Sequence, residues 1–193
     1  DGSSRFYKDS RWGNFWSVGA NWRISQEEFM KNLRWVNNLS VKVSYGVQGN
    51  DRLLDSGGYD IYYAWQSFYS LSYPNNTMNG AALSSLENKG LKREKNGNLN
   101  VGVEGRLFDR VSFSVEWYQR KTSDMLMSFP MATSLGFDGY NKNIGSMRNR
   151  GLDVSVATDI FQQPNFGWRL TLMGSTVKNK VLQLADKPEI IDG

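Results

Sequence analysis

The stretch Phe15-Trp16-Ser17-Val18-Gly19-Ala20-Asn21-Trp22-Arg23-Ile24 alternates apolar or small residues with polar or small ones. Successive side chains of a β-strand point to opposite faces, so this stretch predicts a strand with one apolar and one polar face. Its length matters most: a tilted strand of about nine to eleven residues crosses a bilayer, whereas soluble strands most often have about five or six. The stretch therefore predicts a transmembrane strand of a β-barrel.

Five further stretches of the chain show the same alternation. They predict strands over residues 39–48, 98–107, 111–125, 152–160 and 168–175. Between the first two strands, Ser25-Gln26-Glu27-Glu28 has the Ser-x-x-Glu form of a helix capping box. The apolar residues Phe29, Met30 and Leu33 follow it, so the sequence predicts a short helix of two turns there.

The connections between these strands differ strongly in length. Residues 49–97, interpreted as free of strand-like alternation, and residues 127–147, which contain Gly, Asn and Ser, predict long loops. The connections at 25–38, 108–110 and 161–167 are shorter. Outer-membrane barrels have short periplasmic turns and long extracellular loops. The three shorter connections are therefore predicted to lie on the periplasmic side.

Two strand pairings follow from the turn lengths. A turn at 108–110 places Gly105 opposite Phe113, an aromatic ring that covers a glycine. A turn at 161–167 places Asp159 opposite Arg169, and opposite charges across a strand pair stabilise it by roughly 0.2–1 kcal/mol. Six strands cannot close a membrane barrel, whose small end is about eight. An open sheet edge in lipid leaves unpaired backbone groups, so the chain is expected to be part of a larger barrel.

The alternation sorts the strand residues into two faces. The predicted lipid-facing residues are Trp16, Val18, Trp22, Val41, Val43, Phe113, Trp117, Val154 and Leu170. The predicted lumen-facing residues are Arg23, Lys42, Glu104, Arg106, Glu116, Arg120, Asp153, Asp159 and Arg169. The lumen-facing charges could line a translocation path, or they could hydrate the lumen and pair with one another.

Composition excludes several classes of protein. Histidine and cysteine are absent, which excludes His-dependent triads, disulfides and zinc sites built from these residues. The net charge of +4 is scattered, so nucleic acid is not an expected partner. Glu104 and Glu116 could be taken for paired catalytic carboxylates, but such groups on a wet barrel wall more often balance nearby cations. No catalytic residue, metal or cofactor is predicted.

Two further features concern the ends of the chain and the membrane. No apolar run reaches the roughly 18 residues of a transmembrane helix. The chain begins at Asp1 with neither Met nor a signal peptide. It is therefore expected to be a processed product or an internal segment.

The loop after the second strand carries an aromatic cluster. Its members, the predicted substrate-binding residues, are Tyr59, Tyr62, Tyr63, Trp65, Phe68, Tyr69 and Tyr73. Aromatic faces stack on sugar rings or peptide side chains, and neighbouring Asn and Asp side chains can hydrogen-bond hydroxyl groups. The alternative is that these rings pack the loop itself or contact a partner protein.

Several longer segments of the sequence resemble the barrel of SusC-type (SusC/RagA family) TonB-dependent transporters of Bacteroidetes. They occur in the order found in that family. They are Asp1-Gly2-Ser3-Ser4-Arg5-Phe6, Arg11-Trp12-Gly13-x-Phe15-Trp16-Ser17-Val18-Gly19-Ala20-x-Trp22-Arg23-Ile24-Ser25, Asn38-Leu39-x-Val41-Lys42-Val43-Ser44-Tyr45-Gly46-Val47-Gln48-Gly49-Asn50, Leu91-Lys92-x-Glu94-Lys95-x-x-x-Leu99-Asn100-Val101-Gly102, Tyr118-x-Arg120-Lys121-Thr122-Ser123-Asp124, Asn143-Ile144-Gly145-x-Met147-x-Asn149-x-Gly151 and Lys178-Asn179-Lys180.

The resemblance implies that residues 1–193 are part of the β-barrel domain of such a transporter, supplying about six strands of a barrel of about 22 whose lumen holds a plug. It further implies the outer membrane of a Gram-negative bacterium, contact with membrane lipid and import of oligosaccharides or peptides. The implied partners are a SusD-like surface lipoprotein and TonB, the latter through an N-terminal part outside this chain. Two alternatives remain open at this stage: a soluble glycan-binding β-sandwich and a passive porin.

Overall fold

Six antiparallel strands form one continuous sheet, in which each strand pairs with the next of the six along the chain. The computed structural model describes residues 1–54, 57–75, 78–136 and 139–184, with only the backbone described for 72–75, 78, 79 and 133. The strands of the sheet are β1 (Trp16–Trp22), β2 (Val36–Asn50), β5 (Glu94–Leu107), β6 (Val111–Ser123), β9 (Ser146–Gln163) and β10 (Phe166–Gln183). Five of the six are longer than the roughly nine to eleven residues that cross a bilayer. Because all of them pair in antiparallel fashion, the predicted all-β, antiparallel architecture is confirmed.

Two small hairpins lie outside this sheet, within the segments predicted as loops. One is β3 (Phe68–Asn75) with β4 (Met78–Ser85), and the other is β7 (Leu126–Pro130) with β8 (Gly139–Asn143). The prediction that these segments contain no strand was therefore wrong. The alternation Tyr69-Ser70-Leu71-Ser72-Tyr73 within β3 was the signal that could have identified the first hairpin.

The predicted helix after β1 is also absent, and two 3₁₀ turns, Ile24–Gln26 and Glu28–Met30, occupy its place. Neither turn has a side-chain cap. Glu27 between them is extended, with φ −72° and ψ 150°, and it accepts a 2.8 Å hydrogen bond from Trp22 Nε1. Ser25 donates instead toward Asn38 Oδ1, at 3.4 Å. Of the two capping-box residues, Ser25 thus bonds toward Asn38 and Glu28 contacts Lys31, and the helix does not form. Among the described residues, no helix is long and apolar enough to cross a membrane.

Over the middle of the strands, one face of the sheet is apolar. A single row runs Trp22–Val41–Val103–Val115–Val154–Gly174. In the described part of the chain no second layer packs on this face: Trp16 is 54% exposed and Val18 is 62% exposed. A β-sandwich would bury these side chains against a second sheet. The sandwich alternative is therefore wrong, because the six strands form a single layer.

Both predicted pairings are confirmed by the register. Gly105 lies opposite Phe113, and Asp159 lies opposite Arg169. The second pairing includes a bulge between Trp168 and Arg169. Aromatic contacts lie near both ends of the sheet. Trp16 and Tyr45, near the long loops, have ring centroids 5.4 Å apart, and Phe161 and Trp168, at a short turn, 6.0 Å.

Buried apolar side chains gather beyond the sheet, where the long loops meet the N-terminal segment. This cluster, called the loop core, consists of Phe6, Leu53, Ala64, Leu91 and Leu126, with Ile61 and Trp65 packed against it. Phe6 is 2% exposed and Leu91 is 1% exposed. The loop core packs the two long connections together beyond one end of the strands.

Candidate functional site

The polar face of the sheet carries the predicted lumen-facing charges, and several of them form ion pairs. Lys42 on β2 contacts Glu104 on β5 through its ammonium group. Ser40, which is 2% exposed, donates a 3.2 Å hydrogen bond to the same carboxylate. Glu104 is therefore held by partners from a neighbouring strand rather than poised as a free acid or base.

A second ion pair closes the hairpin of β9 and β10. Arg169 donates from Nε to Asp159 Oδ1 at 2.6 Å and from Nη2 to Oδ2 at 3.0 Å. This bidentate geometry matches the planar fork of a guanidinium to the two carboxylate oxygens. It orients both side chains at the short-turn end of the polar face.

Glu116 and Asp153 lie directly opposite each other on β6 and β9. No cation of the described chain lies within ion-pair distance of either carboxylate. Glu104 and Glu116 border the same groove of about 370 Å³, but Lys42 neutralises only Glu104. In the described part of the chain, no three His, Cys, Asp or Glu side chains are grouped as a metal would need.

Amide side chains dominate the polar face nearer the long loops, and they surround a groove of about 650 Å³. Arg120 donates from Nε to Asn98 Oδ1 at 2.8 Å, and Asn179 donates to Asn149 Oδ1 at 2.6 Å. The predicted set of lumen-facing site residues contains only charged side chains and therefore omits these amides. Their position on the polar parity of each strand was the signal that could have identified them.

Two predicted lumen-facing arginines have different surroundings. Arg23 lies outside β1, which ends at Trp22, and it precedes the first 3₁₀ turn. Its placement on a strand was therefore wrong. Arg106 remains on the polar parity of β5 and donates from Nη2 to the backbone carbonyl of Asp109 at 2.6 Å. It orders the adjacent turn.

The aromatic cluster of the long loop is divided between surface and interior. Its exposed members are Tyr59 (76%), Tyr62 (56%), Tyr63 (51%), Phe68 (42%) and Tyr69 (65%). Trp65 instead packs against the loop core, with its ring 5.1 Å from that of Tyr7. The side chain of Tyr73 lies outside the described residues. Of the six rings whose side chains are described, one is packed in the interior and five lie at the surface.

One ion pair lies within this loop, and a second joins it to the N-terminal segment. Arg52 Nε donates to Asp60 Oδ1 at 3.0 Å, and Arg5 Nη1 approaches the same oxygen at 3.5 Å. The hydrogen bond from Arg52, followed by its charge and the contacts of Arg5, holds the pKa of Asp60 below its usual value. Arg5 also lies 4.5 Å above the ring of Tyr62. The exposed aromatic residues therefore belong to a loop whose conformation these ion pairs stabilise.

Comparison with known proteins places the chain among outer-membrane receptors. The family model described as TonB dependent receptor-like, beta-barrel, matches residues 1–187. TonB-dependent receptor P39 of Formosa agariphila is 36% identical over 188 residues, which cover 97% of this chain and 17% of that receptor. TonB-dependent receptor SusC of Bacteroides thetaiotaomicron is 31% identical over 187 residues, covering 95% of this chain and 18% of SusC.

Solved structures agree with these relatives. The RagAB peptide importer in its closed-closed state superimposes with a TM-score of 0.83 at 29% identity, covering 95% of this chain and 20% of that one. In the open-open state the TM-score is 0.77 at 28% identity, with 92% of this chain and 19% of the other covered. The chain spans about a fifth of the length of the relatives that it matches.

Proposed function

Because this chain belongs to the TonB-dependent receptor β-barrel family, we propose that it forms part of the wall of an importer that takes up oligosaccharides or peptides with energy from TonB. Its location is the outer membrane of a Gram-negative bacterium, which it crosses with several strands. The single observation that carries the proposal is the membrane-length sheet with one apolar and one polar face. A passive porin shares such a sheet, but the family relation favours active import.

We assign a different environment to each face of the sheet. The apolar rows contact lipid, and the polar face lines the lumen, where its amides and ion pairs contact water, the plug or passing substrate. The unpaired edges of β1 and β10 pair with strands from the rest of the barrel, because lipid cannot satisfy their backbone groups. Residues 1–193 are thus one part of a β-barrel domain of about 22 strands. We assign no catalytic role, since the relatives are receptors and importers.

The long loops are proposed to lie outside the cell, with the short turns in the periplasm. The exposed rings around Tyr59 and Tyr69 then face arriving substrate or a SusD-like surface lipoprotein. Rigid aromatic faces suit either task, because they bury a large contact area at little entropic cost. The RagAB structure is that of a peptide importer, and the family resemblance of the sequence implies oligosaccharides as well, so the proposal includes both substrate classes.

Uptake by cells tests this proposal. The full-length receptor that contains this segment is expressed in a strain lacking it, and uptake of labelled oligosaccharides and peptides is measured with and without TonB. We expect uptake of one class that stops without TonB and falls at least about tenfold for the double variant Tyr59→Ala, Tyr69→Ala.

The matched control is Phe166→Ala, an aromatic residue that is 60% exposed at the opposite end of the sheet. It should leave uptake unchanged at equal surface abundance. Uptake that persists without TonB would refute active import. Wild-type uptake by the double variant would refute the role of the loop aromatics.

A further inference from the structure

Five basic side chains form a compact group on the apolar face, at the end of the strands near the long loops. In one row, Lys121 of β6, Arg148 of β9 and Lys180 of β10 are direct neighbours. In the next row, Arg150 of β9 is paired with Lys178 of β10. These five residues are called the five-cation block.

The five-cation block has no anionic partner within the described chain. No described carboxylate forms an ion pair with any of its members, in contrast to the polar face, where Lys42 and Arg169 each contact an acid. Like charges directly opposite each other destabilise a sheet. Repulsion among five cations therefore favours an anion bound from outside.

The position of the block indicates which anion this is. The rows next to it toward the middle of the strands are apolar: Trp117 is paired with Leu152, and Val115 with Val154. With the orientation proposed above, the block lies where the hydrocarbon region ends and the headgroups of the outer leaflet begin. Three strands at about 4.8 Å spacing and two rows about 7 Å apart cover the area of a phosphorylated sugar headgroup.

We propose that the five-cation block binds the phosphate groups of a phosphorylated glycolipid of the outer leaflet, with the acyl chains of that lipid lying along the apolar rows below. Arginine supplies bidentate contacts to phosphate, and lysine supplies point charges. The site depends on the position of the sheet in the membrane and not on what is imported. A failure of the import proposal would therefore leave it standing.

Lipid retention by the full-length receptor in uncharged detergent tests the site. Native mass spectrometry compares phosphorylated lipid A with fully dephosphorylated lipid A of the same acylation. We expect the wild type to bind the phosphorylated form at least about tenfold more tightly. The variant Lys121→Gln, Arg148→Gln, Lys180→Gln should lose this preference. Without lipid, its thermal midpoint should equal or exceed that of the wild type, because the repulsion is relieved.

The matched control removes three cations near the short turns: Lys31→Gln, Arg34→Gln, Arg110→Gln. It should retain the preference for phosphorylated lipid A. If the triple variant fails to fold, Arg150→Gln with Lys178→Gln is measured instead, with the same expectation. Equal binding of the two lipid forms, or a folded block variant with wild-type preference, would overturn the proposal. Full displacement of the lipid by inorganic phosphate at equal concentration would also overturn it, since the site would then bind free phosphate.

Discussion

Replacing Gly105 with alanine tests how closely β5 packs against β2 and β6. A Cβ atom at this position would lie 2.7 Å from Phe113 Cε1 and 2.9 Å from the backbone oxygen of Asn38. The phenyl ring can rotate away, but the carbonyl moves only if β2 shifts. Overpacking of this kind costs about 1–3 kcal/mol, and we expect the free energy of unfolding to fall by that amount.

Gly102 on the same strand provides the matched control. A Cβ atom there would meet Val115 O at 3.5 Å and Glu116 Cβ at 3.7 Å, which are ordinary contacts. Gly102→Ala should therefore leave stability unchanged or raise it by up to about 1 kcal/mol, because alanine restricts the unfolded chain.

Urea titration of the full-length receptor in micelles measures the effect, with the folded and unfolded barrels separated by their gel mobility. Adding Phe113→Leu to Gly105→Ala should restore part of the lost stability, with a coupling of about 0.5–3 kcal/mol. The remaining loss reflects the contact with Asn38. Equal unfolding midpoints for Gly105→Ala and Gly102→Ala would refute the packing argument.

Two further predictions concern the long loop and the two faces of the sheet. Since the pKa of Asp60 is lowered in the folded state by Arg52, its contribution to loop order is present above about pH 4 and is lost as the pH falls through the folded pKa. The rate of proteolysis within residues 51–93 should rise below about pH 4 in the wild type. The variant Asp60→Asn should be cleaved already at neutral pH. A wild-type cleavage rate that does not change with pH would contradict this prediction. The chain has no native cysteine, so Ser44→Cys and Val43→Cys report separately on the two faces. A water-soluble maleimide should label only Ser44→Cys, and a lipophilic maleimide should favour Val43→Cys. Equal labelling of the two variants by both reagents would show that one face does not line a lumen and the other does not contact lipid.

The sequence predicted the six strands and two of their pairings because both depend on local properties. Alternation of polarity is a property of neighbouring residues. A short hairpin turn then determines which residues lie opposite each other, as for Gly105 with Phe113 and Asp159 with Arg169. The prediction failed where the signal was weak or the competing contacts were distant. The strands of β3–β4 and β7–β8 have only five to eight residues each, and Ser25 of the predicted capping box bonds toward Asn38 instead.

The alternation of apolar and polar residues by itself determined that this chain forms a two-faced, membrane-length sheet, since the parity of each strand is set within that strand. Only the tertiary structure decided which residues share a site. Lys121 and Arg148 are separated by the long connection between β6 and β9, whose length does not specify register. The backbone pairing of β6, β9 and β10 aligns them with Lys180. Hydrogen bonding between strands distant in sequence therefore assembled the five-cation block from charges that appear scattered along the chain.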